Sequence, residues 1–115
     1  MIKGFGGIFW RTNHVEVTKK WYGDVLKIEI ADWNGTVIQS HAGNETILSF
    51  FAADDGYFPT GQQAMLNFQV HDLNETMNHL ETIGVPLAKS MEVNEFGKFL
   101  WIQDPDGRLI ELWEK

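Results

Sequence analysis

The sequence predicts an α+β fold in which two paired βαβββ modules form a curved mixed sheet around a cavity. Two observations lead to this prediction. A strand followed by a helix start occurs twice, with Gly7 of the first copy aligned with Met65 of the second. After each copy, the hydrophobic period changes from the helical value of about 3.6 residues toward 2, which is typical of strands. We therefore expect one domain over residues 1–115, with module one at residues 1–53 and module two at residues 63–115.

Each module opens with a strand that leads into a capped helix. The strands are predicted at residues 5–12 and 63–70. A capping residue followed three positions later by glutamate marks each helix start, and apolar residues at helical spacing then form one stripe. The capping pairs are Asn13 with Glu16 and Asp72 with Glu75. The stripe of the first helix is Val17, Trp21 and Val25, with Tyr22 and Leu26 beside them, and that of the second is Leu73, Met77 and Leu80.

The two helix ends differ in residue type. Gly84 is predicted to end the second helix because glycine readily adopts positive φ. Lys27 stands where a similar break is expected in the first helix.

Three short strands are predicted after each helix. They cover residues 28–33, 36–42 and 46–51 in module one, and residues 87–93, 98–103 and 109–113 in module two. Asn34-Gly35 favours a type I′ hairpin turn, and the segment from Asp104 to Gly107, Asp-Pro-Asp-Gly, favours a type I turn. Neither module can bury a sheet face alone, so we expect the two to pair.

Composition excludes several classes of function. The chain has 115 residues, a formal net charge of -7 and 43% hydrophobic residues. This balance lacks the positive surface that nucleic acid binding requires, and no apolar run approaches the roughly 20 residues of a membrane span. We therefore expect that the protein binds neither nucleic acid nor membrane. The absence of cysteine excludes disulfides and thiolate chemistry, so we expect a cytoplasmic protein.

Three segments resemble a known family. Residues 21–26 (WYGDVL), 70–73 (VHDL) and 104–113 (DPDGRLIELW) are similar to the vicinal oxygen chelate superfamily, which includes glyoxalase I, bleomycin-resistance proteins and extradiol dioxygenases. The resemblance implies paired βαβββ modules and, often, homodimers. In metal-dependent members it also implies a divalent ion held by the first and last strands of each module.

The residues at those four ligand positions predict that the usual metal site is absent. They are Gly7, Ser49, Met65 and Glu111, of which Glu111 alone is an ordinary ligand. We therefore expect no cofactor. The alternative is a divalent metal held by Glu111 and His41, although His41 is more simply interpreted as a polar strand residue.

Strand alternation predicts which side chains line the cavity. They form an aromatic surface with a few polar groups, which is the usual composition of a small-molecule pocket, although any single ring taken alone is more simply interpreted as sheet core. The expected ligand-binding residues are Phe9, Arg11, Ser49, Phe51, Met65, Asn67, Gln69, Trp101, Gln103, Glu111 and Trp113.

Glu111 is the one candidate catalytic residue, and two interpretations of it stay open. Alone among apolar rings it would suit general acid or base chemistry, whereas beside Arg11 it would form an ion pair that orients a ligand. We favour the pair with Arg11. Tyr57 and Phe58, in the loop that joins the modules, are expected either to cover the cavity or to meet a partner chain.

These observations predict a small-molecule-binding protein that resembles the bleomycin-resistance branch and forms a homodimer. Cationic ligands would suit the acidic surface and the aromatic rings. The alternative is a glyoxalase-like lyase or isomerase, or a dioxygenase, with a non-standard metal site. A purely structural or interaction role has little direct support.

Overall fold

A four-stranded mixed sheet from the C-terminal half organises the fold. The computed structural model describes residues 1–115. Its elements are, in chain order, α1 (Val15–Leu26), β1 (Leu66–Gln69), α2 (Leu73–Thr82), β2 (Lys89–Asn94), β3 (Gly97–Gln103) and β4 (Leu109–Glu114). The strand order is β1-β4-β3-β2, with β1 parallel to β4 and the other neighbours antiparallel. The predicted α+β class with a mixed sheet is confirmed.

The hydrophobic core lies between one face of this sheet and the two helices. Successive strand side chains point to opposite faces, so alternate residues of β3 and β4 enter the core. The buried cluster comprises Tyr22 and Val25 of α1, Leu73 and Leu80 of α2, and Leu100, Ile102, Ile110 and Leu112 of the sheet. The intervening side chains of β3 and β4 therefore lie on the opposite face, which carries the candidate site.

A β-bulge changes which side chains of β2 reach that opposite face. Lys89 pairs with Trp101 and Glu92 pairs with Phe99, with a register shift between Lys89 and Glu92. Residues three apart in a regular strand point to opposite faces. The bulge instead brings Lys89 and Glu92 to the same face, because it adds one residue to β2 relative to β3.

The helix starts were predicted correctly for α2 and incorrectly for α1. The Asp72 carboxylate accepts a hydrogen bond from the Glu75 backbone N–H at 3.0 Å, as expected of a cap. The cap of α1 is His14, which makes no side-chain capping bond. The predicted cap, Asn13, instead donates its side-chain amide to Asp106 Oδ1 at 3.2 Å.

The buried stripe of α1 confirms the predicted one at Tyr22 and Val25 but differs from it elsewhere. It consists of Thr18, Tyr22 and Val25, whereas Val17 is 56% exposed. The Thr18 hydroxyl shares a 2.5 Å hydrogen bond with Thr12, which explains how a polar side chain occupies the buried face. Both helix ends match expectation, since Gly84 and Lys27 have positive φ.

The four strands predicted in the first half are not formed. Residues 5–12, 28–33, 36–42 and 46–51 contain no assigned strand. Their alternating pattern is suitable for strands, but a strand also needs a hydrogen-bonded neighbour, and these segments make no ladder. The predicted type I′ turn is also absent, because only Asn34 of the pair has positive φ, whereas this turn needs both residues there.

Many apolar side chains of the first half are consequently exposed. Phe50 is 89% and Leu48 65% exposed, and neighbouring apolar residues are similarly exposed.

Neither helix combines the length and apolar character that crossing a bilayer demands.

Candidate functional site

The Glu111 carboxylate is the centre of the candidate site. The side chain lies on the sheet face opposite the helices, and the residue is only 5% exposed. Oε1 accepts a hydrogen bond from the Asn67 side-chain amide at 2.5 Å, and Oε2 accepts one from Trp101 Nε1 at 2.9 Å. These contacts follow from the sheet register, which pairs Asn67 and Trp101 with Glu111 from the two neighbouring strands.

The loop that joins the two halves provides a third donor. The Tyr57 hydroxyl donates a hydrogen bond to Glu111 Oε2. Two further hydrogen bonds hold the loop at Tyr57. One is within the loop, from the Tyr57 backbone N–H to Asp55 Oδ1 at 2.8 Å, and the other comes from β2, from Lys89 Nζ to the Tyr57 carbonyl at 3.0 Å. Burial, and then the hydrogen bond to Glu111, raises the pKa of Tyr57 well above its usual value.

The far end of the loop is anchored to β4 through Gln62. Its side-chain amide donates to the Leu109 carbonyl at 2.9 Å and accepts from the Leu109 backbone N–H at 2.9 Å. Tyr57 thus covers Glu111 from a loop that is fixed on both sides. Tyr57 therefore lies over Glu111, in line with the covering role predicted for this loop, and contact of the loop with a partner chain stays a prediction.

Aromatic rings surround the carboxylate. The Tyr57 ring stacks on Phe51, with centroids 5.4 Å apart, and meets Trp101 edge to face at 6.4 Å. Phe99 stacks on Trp113 at 5.6 Å. Since both oxygens of Glu111 already accept hydrogen bonds from neutral donors, the arrangement is suited to holding a polar group in a fixed position among rings.

A lysine lies over two of these rings. Lys89 Nζ is 5.3 Å from the centroid of the Tyr57 ring and 5.1 Å from that of Trp101. This is the position that a cationic ligand would take in a cation-π contact. A cationic ligand would therefore have to compete with Lys89.

The predicted ion pair between Arg11 and Glu111 is wrong. Arg11 is exposed and forms no salt bridge, and its carbonyl oxygen accepts a hydrogen bond from the Arg108 guanidinium. The neutral donors take the places that the prediction gave to Arg11. The Arg11 backbone belongs instead to a cluster around Asp104, at the turn before β4.

The Asp104 cluster ties α1 and the preceding segment to the second half. Asp104 accepts hydrogen bonds from the Tyr22 hydroxyl at 2.8 Å and from the Arg108 guanidinium at 3.1 Å. Burial, and then the hydrogen bond to Asp104, raises the pKa of Tyr22. Asp106 accepts from Thr12 at 2.5 Å, which lowers the pKa of Asp106. These contacts are structural, because they fix the turn and its neighbours.

The remaining predicted site residues are dispersed. Gln69 donates to the Glu45 carbonyl at 3.4 Å, and His41 packs against His71 with ring centroids 5.0 Å apart. Asn67 and Trp101 contact Glu111 directly, Phe51 lies behind Tyr57, and Trp113 is linked to Glu111 through Phe99 and Trp101. Phe9, Ser49 and Gln103 are exposed, and Met65 is partly exposed.

The residues at the four ligand positions that the resemblance implies do not fit the divalent ion of the metal-dependent members. Gly7 and Met65 supply no hard donor, and an un-ionised Ser49 hydroxyl is a poor ligand. No group of three or more His, Cys, Asp or Glu side chains lies close enough together to hold an ion. Both Glu111 oxygens, moreover, already accept hydrogen bonds within the chain.

Surface clefts also lie elsewhere on the molecule. One of about 600 Å³ runs along α1 past Lys20 and Asp24, and one of about 430 Å³ lies between α1 and Ile83. Charged side chains line most of the first cleft, and neither cleft includes Glu111. The chemistry of Glu111 and its rings carries more information about function than these open grooves do.

Sequence reasoning missed Lys89 and Gln62, and it did not predict the contact between Tyr57 and Glu111. Lys89 reaches the site face beside Glu92 only because of the bulge in β2, for which the sequence carries no plain signal. Gln62 was counted as part of the joining loop. Its side-chain amide bonds both backbone groups of Leu109, as a neighbouring strand would. This contact depends on the folded path of the loop, which the sequence does not specify.

Solved structures share this fold. A virulence protein from Salmonella typhimurium is 17% identical, with a TM-score of 0.57 over 94% of this chain and 98% of that one. A member of the glyoxalase/bleomycin resistance protein/dioxygenase superfamily from Sphaerobacter thermophilus is 19% identical, with a TM-score of 0.56 over 90% of each chain. TnmS3, an antibiotic binding protein from Streptomyces, is 20% identical, with a TM-score of 0.55 over 86% of this chain and 84% of that one.

Family membership follows from the sequence match. None of the curated proteins matches the chain. The sequence model of the glyoxalase/bleomycin resistance protein/dioxygenase superfamily matches residues 4–112, which is nearly the whole length of the chain. The chain therefore belongs to the glyoxalase/bleomycin resistance protein/dioxygenase superfamily.

Proposed function

We propose that this protein binds a small, partly aromatic molecule at Glu111 without the metal site of its metal-dependent relatives. The observation that carries the proposal is a nearly buried carboxylate among aromatic rings, covered by a single tyrosine from a loop. Clustered rings with a few fixed polar groups are the usual composition of a small-molecule site. The antibiotic binding described for TnmS3, on a similar fold, supports the same class of function.

The proposed contacts divide into rings and polar anchors. Phe51, Trp101 and Trp113 supply flat apolar surface, and Asn67 holds one oxygen of Glu111 in position. A bound molecule would reach the carboxylate by displacing Tyr57. Binding rather than catalysis is favoured because the three side chains that contact Glu111, those of Asn67, Trp101 and Tyr57, donate hydrogen bonds that fix the carboxylate and do not form a nucleophile–base pair or an oxyanion site.

A thermal-shift experiment tests the proposal. The protein is treated with a chelator and then screened with planar aromatic compounds, each with and without nickel, zinc, manganese or iron. We expect some aromatic compounds to raise the Tm without metal, because a ligand at about 100 times its Kd stabilises the folded state by about 2.7 kcal/mol.

Variants decide between the proposal and the metal-dependent alternative. Glu111→Gln should abolish the shift, whereas Gln103→Ala, which alters an exposed polar residue at the end of β3, should retain it. A Tm that rises with metal alone, and loses that rise in both Glu111→Gln and His41→Ala, would instead support a lyase, isomerase or dioxygenase with a non-standard metal site.

We also propose that the chain forms a homodimer in the cytoplasm. Exposed apolar side chains in the first half support association, because monomeric proteins rarely leave large apolar patches in water. The cysteine-free composition is suited to a reducing compartment. Sedimentation of the purified chain tests the dimer.

A further inference from the structure

Tyr57 has the features of a bound ligand that is supplied by the chain itself. Its ring lies between Phe51 and Trp101, and its hydroxyl donates to the buried carboxylate of Glu111. Yet Tyr57 is 37% exposed and comes from a loop rather than from the sheet that builds the site. The site around Glu111 therefore already accommodates a flat ring with a hydroxyl group.

The charges at the site restrict the charge of a ligand that can replace the Tyr57 side chain. Lys89 Nζ, 5.3 Å from the Tyr57 centroid, would repel a cation placed on the same rings. An anion would meet the Glu111 carboxylate, which has no cationic hydrogen-bond partner. A neutral molecule that donates a hydrogen bond avoids both penalties, and the Tyr57 phenol is such a group.

Competition between Tyr57 and an external ligand follows from the way the loop is anchored. The hydrogen bonds from Lys89 to the Tyr57 carbonyl and between Gln62 and Leu109 keep the ring close to Glu111. A tethered group has a high effective concentration, so the apparent affinity of a free competitor is reduced by the fraction of molecules in which Tyr57 occupies the site.

We infer that Tyr57 acts as a built-in occupant of the site, and that the natural ligand is a neutral phenol-like molecule whose hydroxyl replaces that of Tyr57 on Glu111. This inference rests on the proposed function and specifies its ligand class. It assigns Tyr57 a role in specificity, because a molecule must match or exceed the contacts of Tyr57 to enter.

The test uses p-cresol, which is the side chain of tyrosine as a free molecule, and toluene, which has the same ring and methyl group without the hydroxyl. Binding of each is measured by tryptophan fluorescence and by calorimetry, in the wild type and in Tyr57→Ala. We expect Tyr57→Ala to bind p-cresol about tenfold more tightly than the wild type does, because removing the tethered competitor restores the open site.

The hydroxyl group supplies the second comparison. In Tyr57→Ala, p-cresol should bind about tenfold more tightly than toluene, because a hydrogen bond to a charged acceptor contributes about that factor. Glu111→Gln added to Tyr57→Ala should reduce this preference. Tyr57→Phe is the matched comparison, since it retains the ring but loses the hydrogen bond to Glu111, so its affinity for p-cresol should lie between those of the wild type and Tyr57→Ala.

Several outcomes would overturn the inference. Equal affinity of p-cresol for the wild type and Tyr57→Ala would show that Tyr57 does not compete. Equal affinity of toluene and p-cresol in Tyr57→Ala would remove the phenol class but leave the proposed aromatic site intact, whereas no binding of either probe would argue against both proposals. If Tyr57→Ala lacks a cooperative unfolding transition, Tyr57→Leu carries the same comparisons with more apolar contact to Phe51.

Discussion

The chain has two tyrosines, and the hydroxyl of each donates a hydrogen bond to the carboxylate of a residue that is 5% exposed. Tyr22 comes from α1, is itself 4% exposed and donates to Asp104. Tyr57 comes from a loop, is 37% exposed and donates to Glu111. The same pair of chemical groups therefore occurs once in the core and once at a surface that a loop covers.

The other partners of the two carboxylates explain the difference. Asp104 also accepts hydrogen bonds from the Arg108 guanidinium and from the backbone N–H groups of Asp106 and Arg108. Glu111 accepts only from neutral side chains. Asp104 thus has a complete set of partners with a compensating charge, which suits a structural role. Glu111 depends on a loop residue for one of its three partners, and that partner is exchangeable.

The largest expected effect comes from breaking the Asp104 cluster. Asp104→Ala should lower the free energy of unfolding by about 3 kcal/mol or more, because it leaves the buried Tyr22 hydroxyl and two backbone N–H groups of the turn without their acceptor and takes one of two carboxylates from Arg108. Urea denaturation measures this change. Lys20→Ala, which removes an exposed ion pair with Asp24, is the control and should change stability by less than about 1 kcal/mol. Equal effects of the two variants would contradict a structural role for the cluster.

Removing each tyrosine hydroxyl compares the two pairs directly. Tyr22→Phe should cost about 1 to 2 kcal/mol of unfolding free energy, since water cannot replace a partner within the core. Tyr57→Phe should cost less than Tyr22→Phe, at most about 1 kcal/mol, because Glu111 keeps its other donors and water can reach the vacated position. Chemical denaturation of both variants under one condition measures the difference. A larger cost for Tyr57→Phe would reverse the assignment of the structural and exchangeable roles.

The smallest effect appears only at alkaline pH. Both tyrosines have pKa values raised in the folded state, by burial first and then by their hydrogen bonds to carboxylates. The unfolded chain titrates near the ordinary tyrosine pKa of about 10, so it loses protons before the folded chain does. The stabilising contribution of both groups is therefore complete below about pH 10 and is lost as the pH rises above that value.

Phenolate absorbance measures this titration. The folded protein should show little phenolate absorbance near pH 10, because both tyrosines of the chain are affected, and absorbance should rise together with loss of the native near-ultraviolet circular dichroism. In Tyr57→Phe the remaining phenol, Tyr22, should titrate only as the protein unfolds. A native protein that ionises one phenol near pH 10 would mean that the Tyr57 hydrogen bond is not maintained in solution.

The features that the sequence predicted well depend on local patterns. Asp72 and Gly84 mark the ends of α2 through hydrogen-bonding and conformational preferences that act within a few residues. Strand alternation separates Leu112, in the core, from Glu111 on the opposite face, because neighbouring strand residues must point in opposite directions. Such rules need no knowledge of distant parts of the chain.

The features that were missed depend on contacts between distant residues. Whether residues 46–51 form a strand depends on a hydrogen-bonded neighbour, which the pattern within the segment does not specify. The hydrogen bond of Glu111 with Tyr57 depends on the path of the loop that carries Tyr57. The opposite charges of Arg11 and Glu111 led to the prediction of an ion pair instead. Asn13 was a plausible helix cap, but Asp106, far along the chain, takes its side-chain amide.

The extra residue in β2 gives the protein a way to retune this surface over evolutionary time. An insertion or deletion between Lys89 and Glu92 would reverse the direction of one of these charged side chains while leaving the opposing strand, and the core behind it, in place. A change of one codon's length at the margin of the sheet could thus alter ligand preference without any substitution among the residues that hold Glu111.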